Sequence, residues 1–203
     1  MWRPPRPNPS PIPRLRTGRT NRRLRPDRPN KVPITYTSGE QVEVYRFSIP
    51  VTVLVPVSAL FLQAWLPRQW SFFALFDLPL LVTIFFSISR RNPVTGLLTG
   101  AAIGIFQDAL TGLPLGVYGI AKTVVGYGAS SLGVKLDVEN AGARLLVTLF
   151  FYVVHEIVYF TVARGLVNLS LQWSGQHELG SGLANAVLGV LLYFVLDRFK
   201  QRT

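Results

Sequence analysis

Six polar side chains fall inside long apolar stretches of this 203-residue chain, and any chemistry would start from them. They are Asp77, Asp108, Lys122, His155, Glu156 and Asn185. An ionisable group at the centre of a membrane-spanning helix costs roughly 2.5–3.5 kcal/mol, so it indicates a functional site unless a neighbour pairs with it. Lys122 could bond to Glu156 or Asp108 in a closed structural network. The same polar layer could instead line a water-filled cavity or contact a partner's transmembrane helix.

Signatures of catalysis and of metal binding are missing around these residues. His155-Glu156 begins a zincin-like pattern, but Tyr159 stands where the second histidine is required. The chain has no cysteine, which excludes disulfide scaffolds, iron–sulfur clusters and thiolate zinc sites. Gly126-Tyr127-Gly128 lacks the third glycine of a dinucleotide-binding turn, and there is no P-loop or nucleophile elbow. We therefore expect no enzymatic activity, no cofactor and no metal site.

The elements that position the polar residues are six apolar segments of 17 to 22 residues. A helix needs about 20 residues to cross the hydrocarbon core, and backbone groups in lipid must be bonded within their own segment. The predicted spans are 47–66, 72–89, 94–110, 115–134, 142–163 and 181–199. The predicted fold class is an all-α integral membrane protein, with a six-helix domain at residues 47–200 and one longer connection at residues 164–180.

The distribution of basic residues predicts that both ends lie in the cytoplasm. Eighteen of the 21 Lys and Arg residues fall on one side of the six spans, against only Arg68 and Arg164 on the other. Cytoplasmic loops retain such an excess of basic residues. Trp65, Trp70 and Trp173 fall at the opposite boundary, where indole rings prefer to lie. In this orientation the six polar residues all lie within about 10 Å of the outer face.

The first 46 residues are a basic tail rich in proline and arginine. Within it, residues 1–31 alternate these two residue types without apolar periodicity, which predicts a disordered segment. The net charge of +11 follows from basic residues on the cytoplasmic side, so no specific nucleic acid is expected as a partner. Anionic lipids are the predicted partner of the tail, at about 1 kcal/mol per basic residue, and RNA contact is the alternative.

Small residues at a spacing of four predict a helix-packing seam in the third span. They are Gly96, Gly100 and Gly104, which share one helix face and allow another backbone to approach closely. The seam could face a neighbouring helix of this chain or a helix of a partner. Ser181, Asn185 and Gly189 repeat the pattern in the sixth span.

The third span ends in a glycine-rich run, residues 104–116, that predicts a tight turn into the fourth span. Its marked positions are Asp108, Gly112, Pro114 and Gly116. Gly112 permits a tight turn, Pro114 stiffens the entry into the next helix, and Gly116 allows close packing. Asp108 is expected to bond backbone N–H groups of the turn or of the fourth span, with partner contact as the alternative.

This run, followed by Val125-Gly126-Tyr127-Gly128, resembles the pattern of the rod shape-determining protein MreD family. The resemblance extends over residues 47–199 in span number and loop length. It implies a fold similar to the substrate-binding component of energy-coupling-factor transporters, in the bacterial inner membrane. It also implies a non-enzymatic scaffold of the rod complex, or elongasome, which maintains rod cell shape and lateral peptidoglycan synthesis.

The partners that the resemblance implies are an MreC-like single-span membrane protein and, indirectly, other members of the rod complex. Those are an MreB-like filament and the RodA-like and penicillin-binding synthases. The alternative function is a substrate-capturing membrane component of a small-molecule, vitamin-type transporter, because a polar layer near the outer face could hold a ligand.

Overall fold

The computed structural model describes residues 45–135, 138, 140–169, 174–199 and 201–202. All of them belong to one compact unit, Gln41–Thr203. The basic tail before Tyr45 and the Trp173 position lie outside the described residues, so the predictions made for them stay predictions.

Six α-helices make up most of the described part of the chain, and each of them overlaps one predicted span. They are α1 (Ile49–Gln69), α2 (Leu78–Arg90), α3 (Pro93–Thr111), α4 (Val117–Lys135), α5 (Ala141–Gly165) and α6 (Gly175–Asp197). A 3-10 helix, Ser71–Leu75, joins α1 to α2. Two-residue strands, β1 (Tyr45–Arg46) and β2 (Gln201–Arg202), pair antiparallel.

Four of the helices described, α1, α3, α5 and α6, are long and apolar enough to cross a membrane. The helix α2 is apolar but has only 13 residues. The chain therefore has the features of a multi-pass membrane protein, whereas the count of six crossings stays a prediction.

Two predicted boundaries were wrong by several residues. The second span was predicted from residue 72, but α2 begins at Leu78, because residues 71–75 form the 3-10 helix and Asp77 caps α2 by accepting the Leu80 N–H at 2.9 Å. The sixth span was predicted from residue 181, but α6 begins at Gly175. The long connection predicted at residues 164–180 is correspondingly shorter, since α5 also continues to Gly165.

The short helix α2 occupies the middle of the bundle. Leu80, Leu81 and Ile84 are fully buried, and most other residues of α2 are buried as well. By contrast, only Ala59 and Leu60 are buried in the 21-residue α1. The polar residues at the start of α2 are therefore surrounded by protein, which is where irregular backbone at membrane depth is tolerated.

The glycine seam of α3 faces α4 of the same chain, as in the internal one of the two alternatives. A Cβ atom at Gly96, Gly100 or Gly104 would overlap the carbonyl oxygens of Gly126, Lys122 or Tyr118 respectively. The two backbones are thus in direct contact, as small residues allow. The same packing fixes the depth of Lys122 relative to α3.

The repeated pattern in α6 also faces the interior. A Cβ atom at Gly189 would lie 3.0 Å from Thr148 Cγ2 of α5 and 3.3 Å from Leu81 of α2. Asn185 and Ser181, one and two turns earlier, are buried on the same face. This face of α6 closes the bundle over α2 and α5.

Polar contacts distinguish the two ends of the bundle. At one end, Arg90 donates to Thr52 Oγ1 at 2.7 Å and Arg144 forms a 2.6 Å ion pair with Asp197. The β1–β2 pair joins the start of α1 to the end of α6 at this end of the bundle. The polar layer described next lies at the opposite end.

Candidate functional site

A buried ion pair between α4 and the start of α2 forms the centre of the polar layer. Lys122 is fully buried, and its Nζ lies 2.5 Å from Asp77 Oδ2. The predicted partners, Glu156 or Asp108, were wrong. Asp108 is occupied by backbone groups of α4, and Glu156 points at a histidine. Asp77 is within reach because α2 begins there and packs directly against α4.

His155 of α5 extends the ion pair toward the surface of the bundle. Its Nε2 lies 3.2 Å from Lys122 Nζ, and its Nδ1 lies 3.2 Å from Glu156 Oε1. A lysine ammonium only donates, so Nε2 must accept and Nδ1 must carry the proton donated to Glu156. The result is a linear array, Asp77–Lys122–His155–Glu156, in which the imidazole is neutral.

Two amide side chains hold the irregular backbone between the 3-10 helix and α2. Asn185 Oδ1 accepts the Asp77 N–H at 2.9 Å, and its Nδ2 donates to the carbonyls of Leu75 and Ser181, each at 2.9 Å. Gln63 of α1 donates to Phe76 O at 2.8 Å and accepts from Leu78 N at 3.0 Å. These bonds replace the helical ones that the break removes, so Asn185 has a structural role here.

Asp108 is separate from the ion array and caps the start of α4. Its Oδ2 accepts the N–H groups of Gly116 at 2.8 Å and Gly119 at 3.1 Å, and its Oδ1 accepts that of Tyr118 at 2.9 Å. The expected bonds from Asp108 to backbone N–H groups are thus present. A carboxylate at the amino end of a helix accepts from N–H donors that would otherwise be unpaired, and it is attracted to the positive end of the helix dipole.

The turn that carries Asp108 to α4 depends on two glycines with left-handed backbone. Gly112 has φ 71° and ends α3, and Gly116 has φ 107° one residue before α4. Pro114 lies between them, and its carbonyl accepts the Val117 N–H at 3.4 Å. A side chain at either glycine would strain this turn, which explains the residue types at the marked positions.

Above the ion array lies a polar cavity of about 170 Å³. Its walls come from α1, the 3-10 helix and its junction with α2, and the helices α3 to α6. The lining residues are Gln63, Ala74, Leu75, Phe76, Asp77, Gln107, Tyr118, Tyr152, His155, Glu156, Tyr159, His177, Glu178 and Ser181. Of the six predicted residues, Asp77, His155 and Glu156 line the cavity, while Asp108, Lys122 and Asn185 lie behind its walls.

The aromatic wall of the cavity was missed by sequence reasoning. The Tyr118 ring stacks on Tyr159 with centroids 4.9 Å apart and on His155 at 5.8 Å. Tyr152 donates to Glu178 Oε2 at 3.3 Å. Within α5, Tyr152, His155, Glu156 and Tyr159 follow the spacing i, i+3, i+4, i+7, which places them on one helix face and was a usable signal.

The arrangement offers ionic and hydrogen-bonding contacts around the cavity. In the part of the chain that the structure describes, no group of three or more His, Asp or Glu side chains is placed to hold a metal ion. Lys122 is shielded from the cavity, so it serves the bundle itself.

A comparison with protein families decides the identity of the bundle. The family model for rod shape-determining protein MreD matches residues 41–203, which include all six helices. The chain belongs to the MreD family. No curated protein and no solved structure matches the chain.

Membership in the MreD family assigns the chain to the determination of rod cell shape, and its apolar helices are those of a multi-pass membrane protein. The MreD match begins after the proline- and arginine-rich part of the tail. The predicted similarity to the substrate-binding component of energy-coupling-factor transporters stays a prediction.

Proposed function

We propose that this MreD-family protein is a non-enzymatic scaffold of the cell-elongation complex that binds an MreC-like single-span membrane protein. The family match over residues 41–203 is the observation that carries the proposal. The geometry supports it, because the polar side chains of the layer are used largely to join helices. Lys122 joins α4 to Asp77 and α5, Asn185 joins α6 to the start of α2, and Gln63 joins α1 to the same place.

The proposal predicts a defect in cell shape together with the loss of a membrane partner. Cells that lack the full-length chain should become round, and a tagged copy should restore rod shape and co-purify the MreC-like protein from mild detergent. Light microscopy and affinity purification measure the two results. Rod-shaped cells without the chain, or restored shape without partner capture, would contradict the scaffold role.

We also place both termini in the cytoplasm and the polar cavity toward the outside of the inner membrane. The contacts of Arg90 and Arg144 lie at the end of the bundle where β1 and β2 pair, which agrees with the excess of basic residues expected on the cytoplasmic side. Alkaline phosphatase fused after Arg91 or Lys200 should be inactive, and a fusion after Pro114 should be active. An active fusion after Arg91 would refute this orientation.

The alternative function, capture of a small molecule for transport, is favoured by one observation, the polar cavity of about 170 Å³. A transport role requires an uptake defect that persists when cell shape is restored by other means. A scaffold role predicts no uptake defect once cell shape is restored.

A further inference from the structure

We infer that the polar cavity is a binding site for a small organic cation, a short aliphatic amine whose ammonium groups bind Glu156 and Glu178. This inference goes beyond the scaffold role and does not depend on it. It rests on the charge of the cavity, on one buried acceptor without a donor, and on the shape and aromatic lining of the space.

The cavity contains more negative than positive charge. Three carboxylates line it, those of Asp77, Glu156 and Glu178, and only Asp77 is neutralised, by Lys122 behind the wall. Glu156 bonds to a neutral imidazole and Glu178 to the Tyr152 hydroxyl. No Lys or Arg among the described residues lines the cavity or pairs with these two glutamates. His177 also lines the cavity near Glu178, so the two carboxylates have only imidazoles beside them, and a bound cation would supply the missing charge.

An independent observation is that one acceptor in the wall has no hydrogen-bond donor. Gln107 of α3 lines the cavity and is only 3% exposed, and its Oε1 is buried without any hydrogen-bond partner among the described residues. Buried acceptors are almost always paired, so an orphaned one indicates a missing donor. An ammonium group provides three donors and no acceptor, which matches both Gln107 and the two glutamates.

The size and the aromatic wall restrict the ligand further. About 170 Å³ corresponds to roughly six water molecules at about 30 Å³ each, enough for a short alkyl chain but not for a nucleotide or a peptide. Tyr118, Tyr152 and Tyr159 supply aromatic surface for an alkyl chain or a cation. The Tyr118 ring already has one ammonium beside it, because Lys122 Nζ lies 4.8 Å from its centroid.

Two carboxylates without a Lys or Arg partner in the cavity wall favour a ligand with two ammonium groups over one with a single group. The overall charge of the chain, +11, repels cations in general, so nonspecific attraction to the protein surface does not explain binding of a diamine. Putrescine, 1,4-diaminobutane, is therefore the appropriate probe. Butylamine has one ammonium and 1,4-butanediol has none on a chain of similar size.

The experiment measures binding of these three probes to the purified full-length protein in detergent by isothermal titration calorimetry. We expect saturable binding of putrescine, at least tenfold weaker binding of butylamine, and no binding of butanediol. Glu156→Gln and Glu178→Gln should each weaken putrescine binding at least tenfold. Glu139→Gln is the matched control, since it removes one carboxylate from the sequence between α4 and α5 and should leave the affinity unchanged.

Two results would overturn the inference. If putrescine does not bind in a saturable manner, the cavity holds only water or a side chain of a partner protein. If butanediol binds as well as putrescine, the charge of the cavity has no role. The comparison of the three probes needs only the wild-type chain, so a glutamate variant that fails to fold does not prevent the test.

Discussion

Replacing Lys122 by methionine should remove most of the folded protein from the membrane. The substitution shortens the side chain by one atom and deletes the ammonium that neutralises Asp77 at 2.5 Å and donates to His155 at 3.2 Å. Breaking one partner of a buried ion pair leaves an uncompensated charge, which costs about 3–5 kcal/mol. A loss of this size is comparable to a large part of the stability of an ordinary domain.

A second substitution should reverse the loss and identify the partner of Lys122. Asn at position 77 can still accept the Leu80 N–H, so Lys122→Met with Asp77→Asn should recover much of the wild-type abundance. Glu156→Gln should not rescue, because Glu156 bonds to His155 rather than to Lys122. Abundance of a fluorescent fusion in the membrane fraction and its thermal midpoint in detergent give the readout.

The matched control for this prediction is Lys135→Met, at the exposed end of the same helix. It removes the same charge without burying a carboxylate, and it should leave abundance unchanged. Normal abundance and thermal stability of Lys122→Met would show that the ion pair does not hold the bundle together.

The second large effect is expected for Asp108→Asn at the start of α4. The carboxylate accepts three backbone N–H groups, of Gly116, Tyr118 and Gly119, whereas an amide has one oxygen and places its own N–H₂ against the remaining donors. Each buried donor left unsatisfied costs about 1–3 kcal/mol. We expect a lower thermal midpoint and faster hydrogen exchange at residues 116–119, measured by mass spectrometry.

Thr111→Val is the control for the Asp108 substitution. Thr111 lies one turn further along α3, is exposed, and bonds only to carbonyls of its own helix. Its substitution should change stability by less than about 0.5 kcal/mol, as is typical for surface positions. Unchanged hydrogen exchange in Asp108→Asn would mean that the carboxylate does not hold the start of α4.

Where the signal was local, sequence reasoning was successful. Apolar runs near 20 residues predicted the positions of six helices, because length and hydropathy are properties of each segment alone. The spacing of Gly96, Gly100 and Gly104 predicted close packing, and only an adjacent helix could supply it. Asp108 was predicted to bond nearby backbone because the turn that follows it is short.

The sequence also predicted that a layer of polar residues exists, but not which of those residues pair with one another. Counting residues along each helix places polar residues such as Asp77, Lys122 and His155 at a similar depth in the membrane. Counting residues could not identify the ion-pair partner of Lys122, because that partner depends on how each helix is rotated about its axis and on where α2 begins. Asn185 and Gln63 hold that beginning by side-chain bonds from α6 and α1, which no local pattern encodes.

The sequence by itself determined the all-α class of this protein, the location of its helices, the glycine seam of α3 and the turn that follows Asp108. Only the tertiary structure decided that Asp77 is the ion partner and that Glu156, Glu178 and Gln107 surround one cavity. The physical reason is that three helices contribute these last three residues. Their proximity is set by side-chain packing between helices, which acts at long range in sequence and leaves no periodic trace along the chain.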